Sequence, residues 1–244
     1  MKIAAISDIH GNLAALDAVL HHLRSQGADL IVNLGDIVSG SLLPAETADQ
    51  LMALDLPTIR GNHERQLLAD DVERMRQSDR FARAALRADQ LDWIARLPAT
   101  LRIADDVLMV HATPDNDLDY FLETVTEAGC RAATQEEVER RAGDGAERLI
   151  LCGHTHMPRS AMLGDGRLVV NPGSVGLQAY DDDMPWPHRI ETGSPHARYA
   201  TVTRTKSGWG VEFHAVEYDW DAAADLARAN GRPEWERPLR EGRC

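Results

Sequence analysis

Short apolar runs separated by helical periodicity dominate the first sixty residues. Residues 2–7 (KIAAIS) predict a buried strand. Leu13, Leu16, Leu20 and Leu23 then recur every three or four positions, which predicts a helix over 12–26 closed by Gly27. A second apolar run (30–34, LIVNL) ends at Gly35-Asp36, a helix follows from Pro44 to about Leu54, and 57–60 (PTIR) predicts a short strand ending at Gly61. Strand–helix–strand alternation of this kind indicates a parallel sheet built from βαβ units. Residues 64–97, rich in Arg, Ala, Leu and Asp, predict two or three short helices, a cap or insertion over the sheet. Strands resume at 107–111 and 148–152, with the polar stretch 116–142 between them expected to be mostly helical. Residues 159–162, 168–170, 198–205 and 209–217 read as strands in hairpin-like order and suggest a second, more antiparallel sheet. A long loop is expected at 176–197, a last helix at 220–230 and a loose C-terminal tail at 231–244, so that 1–230 forms a single domain.

Composition narrows the classes of function. The chain has 244 residues, 43% hydrophobic and 27% charged, which suits a folded globular protein. Its net charge of −13 argues against holding nucleic acid through phosphates, and against an anionic membrane surface. No run of apolar residues is long enough to span a membrane, and the N-terminus lacks a signal peptide's apolar segment. Cys130, Cys152 and Cys244 are too widely spaced for a disulfide framework, so a reducing cytoplasm is the expected location. Cys152, at a strand end, reads as a small buried apolar residue.

The metal-capable residues fall in small clusters just after the apolar runs: Asp8-x-His10, Gly35-Asp36, Gly61-Asn62-His63, His111 and Gly153-His154-Thr155-His156. Those positions correspond to the carboxyl ends of strands, where open α/β sheets bind ligands. Each cluster alone is weak, since a lone histidine is more often structural. Five in succession at strand ends are not. Four histidines, two aspartates and an asparagine give nitrogen and oxygen donors without thiolate, a set suited to Mn, Fe, Co, Ni or Zn rather than Ca²⁺ or an iron–sulfur cluster. Seven ligands exceed one ion's need and divide naturally between two ions sharing a carboxylate. Such a pair, about 3.5–4 Å apart, can hold a bridging hydroxide and clamp a phosphoryl group.

These motifs, together with Arg60-Gly61-Asn62-His63-Glu64 and Asn171-Pro172-Gly173-Ser174-Val175-Gly176, resemble the calcineurin-like metallophosphoesterase superfamily, and within it the small bacterial and archaeal phosphodiesterase branch. The resemblance implies two mixed β-sheets packed face to face as a sandwich, with helices on both outer sides. It implies one divalent transition-metal ion held by Asp8, His10, Asp36 and His156 and another by Asp36, Asn62, His111 and His154. His63 would assist the leaving group. The implied activity is hydrolysis of a small or nucleotide-like phosphodiester. A phosphomonoesterase, protein phosphatase or dinucleoside polyphosphate hydrolase is the alternative. A non-catalytic protein-binding scaffold of the same fold is a further one, which the presence of His63 disfavours. Assembly into a homo-oligomer is left open.

One departure bears on substrate. The protein-phosphatase branch follows its bridging aspartate with an Asp-Arg-Gly turn, whereas this chain has Asp36-Ile37-Val38-Ser39-Gly40. Ser39 stands where an aspartate would orient the catalytic histidine, and the arginine is missing. The expectation is a His63 without a carboxylate partner and a site with less positive charge, both favouring a singly charged diester. Asn12 and Arg60 are candidate substrate contacts, with a helix N-cap and a surface ion pair as their plainer readings. Glu64 is expected to brace the metal shell or to serve as a helix N-terminal charge.

Overall fold

The structure, a computed structural model, describes residues 1–69, 71–72 and 75–244. Two mixed sheets form its centre. In one, β1 (Lys2–Ile6) runs parallel to β2 (Leu30–Asn33) and antiparallel to β12 (Ala197–Thr205), which pairs with β13 (Gly208–Val216). The other has the order β3 (Thr100–Ala104), β4 (Val107–Val110), β7 (Leu149–Leu151), β9 (Leu168–Asn171) and β8 (Arg159–Met162), with β4, β7 and β9 parallel.

The pleat explains why the strands read as continuous apolar runs. Successive side chains point to opposite faces, and here both faces are covered. Ile3 and Ala5 of β1 meet Val107, Met109, Leu149 and Leu151 of the other sheet in the inter-sheet core. Ala4 and Ile6 turn the other way, onto Leu16 and Val19 of α1 (Leu13–Leu23), with Ala48 and Leu51 of α2 (Pro44–Leu54) in the same cluster. Leu108 and Ile150 face outward onto Val138 and Ala142 of α6 (Gln135–Ala142). The sandwich with helices on both outer sides is therefore as expected.

The segment 64–97 forms α3 (Asn62–Leu67), α4 (Gln77–Ala85) and α5 (Ala88–Arg96); positions 70, 73 and 74 lie outside the described residues. Ala82, Leu86 and Ile94 of this segment join the core beneath β1.

Several local expectations are corrected. Residues 57–60 form no strand, only a parallel bridge from Thr58 to Asn33. The stretch 116–142 is not mostly helical. After irregular backbone at 116–122 it contains a hairpin of β5 (Glu123–Thr126) and β6 (Gly129–Ala132), where the β-branched run Thr124-Val125-Thr126 prevails over the charged surroundings. The later strands make no separate sheet: β8 and β9 extend the sheet of β7, and β12 and β13 extend that of β1. The 176–197 loop contains a second hairpin, β10 (Ala179–Asp182) with β11 (His188–Glu191).

The C-terminal segment is folded rather than loose. After α7 (Trp220–Ala229), a 3₁₀ turn at Pro233–Trp235 leads into α8 (Glu236–Glu241). Trp235 and Leu239 pack on Leu42, Leu177 and Ala224. Among the described residues, no helix is long and apolar enough to cross a membrane.

Candidate metal centre

The carboxyl ends of β1, β2, β4 and β7 lie at one edge of the sandwich, and the loops leaving them carry six of the seven predicted ligands. Two groups of donor atoms form there: Asp8, His10 and His156 in one, Asp36, His111 and His154 in the other, with the atoms of each group within 4.8 Å of one another. Asn62, the first residue of α3, joins the second group, its Oδ1 being 3.1 Å from His111 Nε2.

Backbone conformation marks the same residues. Among the described residues, six other than glycine have positive φ, and five of these are Asp8, His10, Asp36, His154 and His156. The left-handed region is unfavourable for residues bearing a Cβ and persists only where surrounding contacts hold it. Those contacts are visible. Asp8 N and His10 N donate to Gly35 O and Asp36 O, tying the first ligand loop to the second. Glu64 Oε2 accepts from Asp36 N and Gly61 N, and its Oε1 accepts from Ile37 N, each at 2.8 Å. Glu64 thus fastens the Asp36 loop to the start of α3. Gly61 must be glycine, because a Cβ there would lie 2.1 Å from Asp36 Oδ1. The 171–176 stretch braces the remaining loops: Asn171 Nδ2 donates to Gly153 O and Thr155 Oγ1, and Ser174 Oγ donates to Asp8 O.

The imidazoles are held in defined tautomers. His10, His111 and His156 each donate Nδ1–H to a backbone carbonyl, of Ser39, Leu34 and Leu177 respectively, leaving Nε2 for the site. His154 is reversed, donating Nε2–H to Leu118 O and leaving Nδ1. Fixing one ring nitrogen on an acceptor is how proteins orient the other as a metal ligand. Burial lowers His10 to about 4 and His154 to about 3, and holds His156 well below its ordinary value, so three lone pairs are free of protons at neutral pH. His10 Nε2 and His156 Nε2 face each other at 3.1 Å, an arrangement of two lone pairs that a cation relieves. At His111, burial opposes protonation, but the Asp36 carboxylate 3.2 Å away prevails and raises it to about 10. A positive charge is favoured at that point as well. The donor set therefore fits two divalent transition-metal ions.

His63 lies beside the two groups, its ring 5.4 Å from that of His10. Its Nδ1 is 2.6 Å from Asp79 Oδ1, and Ser39 Oγ donates to the same oxygen at 2.7 Å. The expectation that His63 lacks a carboxylate partner is thus corrected: the carboxylate comes from α4 instead of from the turn after Asp36. Sequence reasoning missed Asp79, although a signal existed. It shares a helix face with Ala82 and Leu86, and an aspartate on an apolar stripe calls for a partner.

A cavity of about 830 Å³ opens over the centre. His63, Tyr120, Tyr180 and Trp235 contribute to its walls, as do Arg76, Arg189 and Arg232. None of the three arginines, nor either tyrosine, was singled out from the sequence. Their distance along the chain from the ligand motifs gave no signal. Asn12 and Arg60 are absent from the described residues lining the cavity. Asn12 is committed elsewhere: Oδ1 caps α1 through Ala15 N, and Nδ2 donates to Gly176 O and Tyr218 Oη. Arg60, half-buried, pairs its backbone N–H with Pro98 O.

Comparison with known proteins agrees with this geometry. An uncharacterized protein of Methanocaldococcus jannaschii is 26% identical over 257 aligned positions, spanning 96% of this chain and 94% of its own. The crystal structure of a metallophosphoesterase from Sphaerobacter thermophilus superposes with a TM-score of 0.75 at 27% identity, covering 99% of this chain and all of that one. A candidate diadenosine tetraphosphatase shares the fold at 18% identity and a TM-score of 0.54, over 88% of this chain and 94% of its own. Residues 1–185 match the calcineurin-like phosphoesterase superfamily domain, and the chain belongs to that superfamily of phosphoester hydrolases.

Proposed function

We propose that the protein is a dinuclear metal-dependent phosphodiesterase acting on a small or nucleotide-like phosphodiester. The observation that carries this reading is the convergence of seven tautomer-fixed or loop-locked donors from four strand ends and the start of α3. Asp8, His10 and His156 would hold one ion and Asp36, Asn62, His111 and His154 the other, with Asp36 shared between them on this reading. Bound there, two divalent transition-metal ions supply charge neutralisation at the phosphoryl group and activation of water at neutral pH.

The remaining roles belong to side chains. His63 faces the cavity with Nδ1 engaged by Asp79, which leaves Nε2 to donate to the departing oxygen. Burial works against its protonation, whereas the Asp36 charge and the Asp79 hydrogen bond raise it to about 9.

The cavity's arginines support a singly charged substrate. Arg76 pairs with Asp182 at 3.1 Å and Arg232 pairs with Glu234, while Arg189 lies directly across the β10–β11 hairpin from Asp181. Two of the three guanidiniums are thus paired with a carboxylate, which lowers the net positive charge that would meet a dianionic monoester. The missing arginine after Asp36 points the same way.

The test is hydrolysis of bis(p-nitrophenyl) phosphate against p-nitrophenyl phosphate by protein reconstituted with Mn²⁺. The proposal expects a higher kcat/KM for the diester. A strong preference for the monoester would select a phosphomonoesterase instead. No turnover of either at full metal occupancy would favour the scaffold.

A further inference from the structure

A second cavity, of about 500 Å³, adjoins the one over the metal centre. The two share Leu118, Asp119, Tyr120, Met184 and Pro185, so they meet between the 118–120 loop and the turn of the β10–β11 hairpin. Tyr120 ties those two sides together, its Oη lying 2.9 Å from both Tyr180 Oη and His188 Nε2. The same loop is fixed to the metal centre. Leu118 O accepts from His154 Nε2–H, and the Tyr120 ring meets that of His154 edge-on at 5.3 Å. The passage between the cavities therefore starts beside a metal ligand and leads away from it.

Its walls are apolar where water would be expected. Leu118 is 51% exposed and Met184 70% exposed, and both line the two cavities alike. Large apolar side chains left in water at the rim of a concave site mark a surface for ligand contact. Polar groups complete the second cavity. Asp115 and Arg140 line it, and among the described residues neither side chain has an ion-pair or hydrogen-bond partner. The first can accept hydrogen bonds and the second can donate them. Arg141, by contrast, is engaged with Phe121 O, Glu123 O and Thr124 Oγ1. An apolar entrance followed by a free acceptor and a free donor suits an organic group bearing hydroxyls and carbonyls. The volume is within the range of about 300–1,000 Å³ that small-molecule sites occupy. His63, which faces the departing oxygen, lines the metal cavity. Neither it nor any of the seven donors is among the described residues lining the second cavity.

We propose that the second cavity is the subsite for the arm of the phosphodiester that stays on phosphorus, and that it selects an arm of about nucleoside size over a small alkyl group. The proposal rests on the phosphodiesterase reading of the site. Leu118, Met184 and Pro185 take the apolar face of that arm, and Asp115 and Arg140 take its hydroxyl and carbonyl groups. Contacts of this kind lie away from the reacting phosphorus and act on substrate and transition state alike, so they appear mainly in KM.

Thymidine 5′-(p-nitrophenyl) phosphate and methyl p-nitrophenyl phosphate test this, because they share a leaving group and differ only in the other arm. In each, the oxygen of water bonds to phosphorus and p-nitrophenolate departs with the electron pair; the first ester yields thymidine 5′-phosphate. For protein reconstituted with Mn²⁺, kcat/KM should be about tenfold or more higher for the thymidine ester, chiefly through a lower KM. Val125→Trp and Arg140→Trp each fill the second cavity from outside the metal centre, the latter from an exposed position of α6. Both should bring the two esters within about twofold of each other, with turnover of the methyl ester and metal content close to those of the parent.

Equal kcat/KM values in the parent, or variants that keep the parent's preference, would overturn the subsite. A readout without turnover is the methyl spectrum of Thr124 and Val125, which line the second cavity, in protein loaded with diamagnetic Zn²⁺. Thymidine 5′-phosphate should shift these resonances and inorganic phosphate should not. Shifts no larger than those with inorganic phosphate overturn the subsite as well. Clear shifts in a parent that cleaves neither ester would instead sink the phosphodiesterase reading and leave the subsite standing.

Discussion

Replacing Glu64 by glutamine removes only a charge and one acceptor, yet it should loosen the metal centre. Glu64 is fully buried and its two oxygens accept three backbone N–H groups, from Asp36, Gly61 and Ile37. Burial and the Asp36 charge push its carboxyl up, against which those donors favour the ionised, acceptor-only form. A glutamine can place its carbonyl where Oε2 stood and keep two of the bonds. Its NH₂ then faces Ile37 N–H, donor against donor. A hydrogen bond to a charged acceptor contributes about 1.5–3 kcal/mol, and a buried donor left unmatched costs about 1–3 kcal/mol, overlapping contributions that together give a loss of about 2–4 kcal/mol. That is a large share of a domain stability of about 5–15 kcal/mol. Because the displaced N–H belongs to the loop that presents Asp36, metal affinity should fall about 10- to 100-fold, as when a ligand's supporting partner is removed. Urea unfolding and metal titration of Glu64→Gln and the parent measure the two effects. A variant within about 0.5 kcal/mol of the parent with unchanged metal affinity would refute the reasoning, since ordinary surface substitutions lie in that range.

Gly61→Ala places a Cβ 2.1 Å from Asp36 Oδ1 and 2.8 Å from His111 Cε1, so it should displace both and abolish stoichiometric metal binding, read by elemental analysis of the dialysed variant. Trp235→Ala empties a site where the side chain is only 7% exposed; the expected cost is about 3–5 kcal/mol, measured by chemical denaturation, and a near-neutral result would mean that the C-terminal segment is not packed as described. The three thiols should react slowly in the native protein. Burial, aided by Glu123 at Cys130 and by Asp181 and Glu191 at Cys244, raises both to about 11, and burial raises Cys152 well above its ordinary value. Since the thiolate is the nucleophile, native alkylation by iodoacetamide should keep accelerating from pH 8 toward pH 11, whereas the urea-unfolded chain should level off near the ordinary thiol value of about 8.5. A native profile that levels off with the unfolded one would contradict this.

What the sequence revealed and what it hid follow from range. The apolar runs at 2–7, 30–34, 107–111 and 148–152 are legible because strands buried on both faces must be apolar at every position. Six of the seven ligands are legible because each sits within a few residues of the end of such a run; Asn62 follows the 57–60 segment, which forms only a bridge. β3 was not found: its residues are exposed or half-buried, as an edge strand allows, and the pattern there is weak. The hairpin at 123–132 was hidden by flanking charge. Hairpin order along 159–217 suggested an extra sheet, because strand pairing across the chain, such as β12 beside β1, leaves no local trace. Asp79 was missed for a related reason. The turn after Asp36 shows no aspartate, and the one local sign, an acid on the apolar stripe of α4, does not tell that its partner is His63, sixteen residues earlier. Trp235 and the C-terminal wall were obscured by a Pro- and Arg-rich composition that suggested a loose end.

The most direct test of the account is the metal stoichiometry of protein reconstituted with Mn²⁺ and freed of excess ion, in the parent and in two single variants. Two ions per chain are expected in the parent. About one should remain in His156→Ala, which strips a donor from the group with Asp8 and His10, and about one in His111→Ala, which strips the group with Asp36 and His154. A parent that retains no ion, or variants that each still retain two, would contradict the dinuclear centre on which the proposed chemistry depends.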